Sequence, residues 1–222
     1  MGVVERRKRE KRERREAIVE AAESVFLREG FETCRMDAVA AEAEVSKGTL
    51  YLYFHNKDEL RAAIAERWVS ILLAELEARL AGAANGLDGV RQVLETYRAH
   101  FDARPDHCRM ALRWIMGPVP ECPGDAFEAH RQRVRELVER VVSTIERGQR
   151  DGSIRADLDP RLLALQLWGS FLGVWVLVQD RERARERFPS DVDFDRAMPS
   201  FHETLLRGIA TSSAAAAEEN PR

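Results

Sequence analysis

The stretch Val45-Ser46-Lys47-Gly48-Thr49-Leu50-Tyr51-Leu52-Tyr53-Phe54-His55-Asn56-Lys57-Asp58-Glu59-Leu60 decides how this chain folds. Ser46 is a side chain that caps helices, so a short helix is expected over Lys47–Phe54. Leu50 and Phe54 stand four apart and form its inward stripe. Lys47, Thr49, Tyr51, Leu52 and Tyr53 are left pointing outward or sideways. Asn56 with Glu59 reads as a capping box that opens the next helix. Upstream, Met36–Ala43 reads as another short helix with Val39 and Ala40 inward, and Glu44–Val45 is a tight turn. Two short helices joined by such a turn, over about 35–54, make the helix-turn-helix plan, whose second helix enters a DNA major groove about 12 Å wide. The outward residues suit that task. Lys47 can donate to guanine or phosphate, Thr49 and the tyrosine hydroxyls can meet phosphate, and Leu52 or a tyrosine ring can meet a thymine methyl. Gly48 lets the backbone approach, and Lys57 lies within reach of the phosphate backbone.

Outward from this stretch the chain keeps a helical period and shows no strand-like alternation. A first helix is expected from Arg9 or Ala17 to Arg28, with Ile18, Ala22, Val25 and Phe26 on one face and Gly30 as its stop. After Asn56 comes a long helix to about Leu80, with Leu60, Ile64, Trp68, Leu72 and Leu76 every four residues. Further helices are expected over 87–103, 106–116, 125–150, 159–183 and 193–209. Asp159-Pro160 is a helix start, with a break or kink expected at Pro199. The Pro-rich segment Gly117–Gly124 cannot be helical. The expectation is an all-α chain of about nine helices: a basic arm 1–16, a DNA-binding domain 17–60, a C-terminal domain 61–211 and a frayed tail 212–222.

Charge points the same way only when it is mapped. The 222 residues carry a formal charge of -3. The arm 1–16 holds eight Lys/Arg against four Glu, so it is +4 and the remainder -7. A basic tip on an acidic body approaches a polyanion in one orientation. The arm reads either as a solvated helical extension laced by i,i+4 pairs or as a DNA-contacting element. Three cysteines, an odd number without ligand spacing, exclude a disulfide framework and argue against a metal. No apolar stretch follows the N-terminal charges, so no signal peptide is expected and a reducing cytoplasm fits. No catalytic constellation can be assembled from the scattered Ser, His and Asp, so no enzyme and no cofactor is expected.

Residues Val45–Leu60 resemble the signature of the TetR family of transcriptional regulators. So does the upstream run Ala21-Ala22, Phe26, Gly30-Phe31 and Met36-Asp37-Ala38-Val39-Ala40. The resemblance covers about residues 17–60. It implies a TetR-like homodimer with an N-terminal three-helix DNA-binding domain and a C-terminal domain for dimerisation and a small effector. It implies repression relieved by that ligand. By matching position, DNA contacts fall on Arg35, Met36, Lys47, Gly48, Thr49, Tyr51, Leu52, Tyr53 and Lys57. Two positions depart from the pattern. Cys34 and Arg35 stand where Ser or Thr often caps the second helix, with Thr33 available one residue early. Glu44 stands where the turn usually has Gly.

Two features lie outside the motif. Leu162–Val178 is apolar nearly all round, too short for a comfortable membrane span of about 20 residues. A helix apolar on all sides needs cover on all sides, so the eighth and ninth predicted helices (159–183 and 193–209) are expected to pair with those of a second chain. Tyr97, Phe101, Met110, Trp114, Phe171 and Trp175 read as plain core. If they line an effector pocket, the ligand is hydrophobic or aromatic. The rival to a DNA-binding regulator is a helical interaction protein that keeps the fold and acts through protein contacts.

Overall fold

A computed structural model describes residues 2–115, 124–189, 191–212 and 214. Among the described residues there are ten helices and no strand: α1 (Val3–Glu29), α2 (Met36–Glu42), α3 (Lys47–Tyr51), α4 (Lys57–Leu80), α5 (Gly86–Ala103), α6 (Pro105–Ile115), α7 (Asp125–Asp151), α8 (Pro160–Gln179), α9 (Arg181–Arg187) and α10 (Phe194–Ile209). The all-α expectation holds. The predicted loop at Gly117–Gly124 lies outside the described residues except for Gly124, as do Cys122, most of the tail and the side chain of Trp114.

The chain divides into two compact units, Met1–Ile71 with Asp106–Val134, and Leu72–Pro105 with Arg135–Arg222. The N-terminal unit therefore draws α6 and the start of α7 into itself, which a single cut near residue 60 does not convey. Its core joins Ile18, Ala22, Val25 and Phe26 of α1, Val39 and Ala40 of α2, Leu50, Phe54, and Leu60 and Ile64 of α4. These are the four-residue stripes of the sequence. Each fully buried Leu, Ile or Phe contributes about 1.5–3 kcal/mol.

In the C-terminal unit Val90, Leu94 and Tyr97 of α5 are buried, as are Leu137, Val141 and Ile145 of α7 and Leu167, Phe171 and Trp175 of α8. Ile154 and Ala210 form an isolated antiparallel bridge.

Several boundaries move, each for a local reason. α1 begins at Val3 because the arm continues it, with Arg6–Glu10 and Arg9–Glu13 pairs at 3.4 Å, one turn apart. Pro105 opens α6 instead of standing before it, as a residue without an N–H can at a helix start. The predicted helix 159–183 divides at Asp180, which ends α8 and caps α9 by accepting from the Arg183 N–H at 3.4 Å. α10 continues through Pro199, near its N-terminal end.

Candidate nucleic-acid interface

The geometry of the reading head starts at the turn after α2. The Val45 N–H donates to the Ala40 carbonyl at 3.0 Å and the Glu44 N–H to the Ala41 carbonyl at 3.1 Å. This is the Schellman pattern, which needs a left-handed residue at its centre. That residue is Glu44, with φ 53°. The turn then delivers Ser46, whose Oγ accepts from the Thr49 N–H at 3.1 Å and caps α3. α3 spans five residues, and Leu52 and Tyr53 belong to the turn that follows it, so the helix is shorter than the expected Lys47–Phe54.

Leu50 and Phe54 are 0% and 1% exposed and hold α3 against the core. Arg35, Lys47, Gly48, Tyr51 and Leu52 are exposed, with Leu52 at 81%. The expected contact residues on α3 are thus presented together on one outer surface, with Thr49 partly covered by the cap. Tyr53 and Met36 also pack partly against the core. An exposed leucine beside a tyrosine has no folding role, and it suits an apolar contact such as a thymine methyl.

Two lysines have partners that the sequence reading did not assign. The Lys47 ammonium lies 2.7 Å from the Asp37 carboxylate and joins the first turns of α2 and α3. That hydrogen bond holds the Asp37 carboxyl below the usual carboxylate range and the Lys47 ammonium above its ordinary value. Opposite charges in the first turns of the two helices were the available signal. Lys57 donates to the Phe31 and Glu32 carbonyls at 2.9 and 3.0 Å, with its ammonium 5.0 Å from the Phe31 ring centre. It ties α4 to the corner after α1. Its expected reach to phosphate competes with that structural task.

The start of α2 also differs from expectation. Arg35 is the N-cap residue and makes no side-chain cap. Thr33 does not cap α2 either, because its hydroxyl turns back to the Glu29 and Gly30 carbonyls. Cys34, where a capping hydroxyl is usual, is buried in the core, and burial pushes its thiol up. Arg28 Nη2 bridges to Glu42 at 3.2 Å and holds α1 to α2.

Residues 18–64 match the family model described as bacterial regulatory proteins, tetR family. The DNA-binding segment of the chain is thus of the TetR family. It is 29% identical over 191 residues to the HTH-type transcriptional repressor DhaR of Mycobacterium sp. strain GP1, covering 84% of this chain and 93% of that one. It is 27% identical over 169 residues to the A-factor receptor protein of Streptomyces griseus, covering 76% of this chain but 56% of that one. Among solved structures, the FadR regulator of Bacillus subtilis in complex with stearoyl-CoA aligns at TM-score 0.66 and 18% identity, over 87% of this chain and 98% of that one. The chain thus shares its fold with that solved structure over most of its length, and its helix-turn-helix lies in the segment that matches the family.

The residues expected at an effector pocket divide between the units. Tyr97, Phe101, Phe171 and Trp175 meet in the C-terminal unit. Phe101 lies 5.3 Å from Phe171 and 5.1 Å from Trp175, ring centre to ring centre, and both contacts are edge-on. Tyr97 is fully buried, and burial pushes its hydroxyl well above its ordinary value. The Trp175 indole donates to Asp102 at 3.3 Å. Met110 instead packs on the core of the N-terminal unit. Among the described residues no three His, Cys, Asp or Glu side chains gather to hold a metal ion.

Proposed function

We propose that the chain is a ligand-responsive transcriptional repressor that binds a two-fold operator as a homodimer in the cytoplasm, and that it is not an enzyme. The observation that carries this reading is the exposed α3 surface of Lys47, Gly48, Tyr51 and Leu52, braced from behind by Leu50 and Phe54. Arg35, Met36, Thr49, Tyr53 and Lys57 are proposed as supporting contacts. Half-sites one DNA turn apart require two such heads separated by about 34–36 Å.

Dimerisation through α8 and α10 is supported by what α8 leaves uncovered. Leu163, Leu167, Phe171 and Trp175 are buried on one face, while Leu162 and Leu165 on the other are 59% and 64% exposed. A Cβ on Gly169 or Gly173 would meet nothing within 4 Å. An apolar face with small residues lets a second helix approach closely. α8 passes a length-and-hydropathy test for crossing a membrane. A second copy of α8 covers the same face without lipid. Replacing both Leu162 and Leu165 by Glu is expected to convert the dimer to monomer in sedimentation velocity; an unchanged dimer removes this interface.

For the effector we propose a small molecule with a hydrophobic portion, consistent with the apolar interior and with the stearoyl-CoA carried by a structural neighbour. It would enter by displacing the Phe101, Phe171 and Trp175 rings. α4 runs unbroken from the N-terminal unit into the C-terminal one, so it can carry such a displacement to α3. The deciding experiment is selection of bound duplexes from a random DNA pool. One two-fold motif is expected, lost on Lys47→Ala and Tyr51→Ala. A helical interaction protein would enrich no motif and ignore both changes. Fatty acyl-CoA added to the complex should release the duplex.

A further inference from the structure

Helical geometry sorts the charges of the N-terminal arm into two faces, and this is visible only once the arm is known to be helix. At 3.6 residues per turn, Arg7, Lys11 and Arg14 fall within about 60° of one another, and Lys8 and Arg15 widen the face to about 120°. No carboxylate of the arm falls inside it. Glu5, Glu10, Glu13 and Glu16 all lie elsewhere. They occupy the other cations: Arg6–Glu10 at 3.4 Å, Arg9–Glu13 at 3.4 Å and Arg12–Glu16 at 4.0 Å. Arg7, Lys8, Lys11 and Arg14 are exposed and have no acidic partner among the described residues. Net charge in the arm is therefore not spread around the helix but concentrated along one side.

One contact places the base of that side. The Arg15 guanidinium lies 5.1 Å from the centre of the Phe54 ring. Phe54 directly follows Tyr53 at the end of the reading segment. Phe54 is buried behind α3, so the cationic face begins where α1 packs on the core behind the reading helix and continues from there for about two turns of α1. From Arg7 to Arg14 the helix rises about 10 Å. That is the axial run of about three phosphates on one DNA strand.

We infer that the Arg7–Lys11–Arg14 face of α1 binds the phosphate backbone of duplex DNA flanking each half-site, outside the bases that α3 reads. This rests on the DNA-binding reading of α3. Charge complementarity, and the arm's place on the unit that carries the α3 surface, select DNA as the occupant. A backbone clamp adds affinity without sequence information.

The test uses the full chain and the duplex that it selects, in two lengths: one with about ten base pairs added on each side and one trimmed to the motif. The variant Arg7→Gln/Lys11→Gln/Arg14→Gln empties the face. The control Arg6→Gln/Arg9→Gln/Arg12→Gln removes the same charge from the paired side. Glutamine preserves helix propensity, and circular dichroism checks that the helix remains. On the long duplex the face variant is expected to bind about 10-fold or more weakly at moderate salt, and the control within about 3-fold. The slope of log affinity against log salt should shrink by about 2–3 per protomer in the face variant. On the trimmed duplex wild type and face variant should converge. Equal losses in the two variants, or no loss in the face variant, overturn the proposal while leaving α3 reading intact. Loss of binding only to phosphatidylserine vesicles would assign the face to a membrane and also overturn it. A wild-type chain that enriches no duplex overturns both readings.

Discussion

Glu44 carries the backbone geometry on which the reading head depends. Its φ of 53° is the left-handed conformation that a side chain disfavours and glycine accepts. Its carboxylate also stands next to a surface proposed to face a polyanion. Glu44→Gly is expected to raise stability by about 0.5–1 kcal/mol in urea unfolding and to tighten DNA binding, because it relieves both the strain and the repulsion. Glu23 is a second residue whose task is set by its neighbours. It is 7% exposed and accepts hydrogen bonds from the Trp68 indole and from His107 Nε2, the latter at 3.0 Å. Burial pushes its carboxyl up, against the lowering effect of His107. Glu23→Ala strands half-buried donors on α4 and α6 and is expected to cost about 1–3 kcal/mol. Glu23→Gln keeps an acceptor and should cost less, as measured by chemical denaturation.

At the scale of elements, close approach matters more than propensity. α5 starts at Gly86, and a Cβ there would sit 2.1 Å from the Gly148 Cα of α7. Asn85 caps the helix, and the Gly86 N–H donates to Asp151 at 2.8 Å. The two backbones touch because both residues lack side chains. Gly86→Ala is expected to destabilise the chain by about 2–4 kcal/mol, since backbone and not a flexible side chain must move. A shift of thermal midpoint below about 2 °C would contradict that geometry. Nothing local in the sequence marks either glycine for this contact, because its partner lies far along the chain. α1 shows the converse case. Its i,i+4 pairs were legible as helical pairing, but the cationic face needed proof that the helix continues through the arm.

At the scale of the whole molecule, acid sensitivity follows from one half-buried histidine. Burial, aided by the charge of Arg98, holds His202 on α10 down to about 4 from its ordinary 6.5. Its Nε2 has no hydrogen-bond partner among the described residues. Between pH 6.5 and about 4 the unfolded chain binds this proton and the folded chain does not. Stability from this group is therefore complete above about 6.5 and is lost as pH falls toward 4, on the order of 1–3 kcal/mol in total. Urea midpoints at pH 7.5, 5.5 and 4.5 should fall more steeply for wild type than for His202→Leu. Parallel curves would show that the ring is solvated in both states.

The sequence by itself determined the all-α class, the helix-turn-helix and its inward and outward residues. Those features are local: caps, turns and four-residue stripes act over one or two turns of chain. It also indicated that α8 leaves a face uncovered, because a seventeen-residue segment with only Gln166 and Ser170 polar cannot all be buried by one small domain. Tertiary structure alone decided what depends on partners distant in sequence. It showed that Lys57 binds the Phe31 and Glu32 carbonyls. It brought the Phe101, Phe171 and Trp175 rings into contact and packed Met110 against the other unit's core. It packed the base of the arm on the core behind α3 through an Arg15–Phe54 contact. A side chain's reach is set by sequence, but its partner is whatever the folded chain brings within about 4 Å.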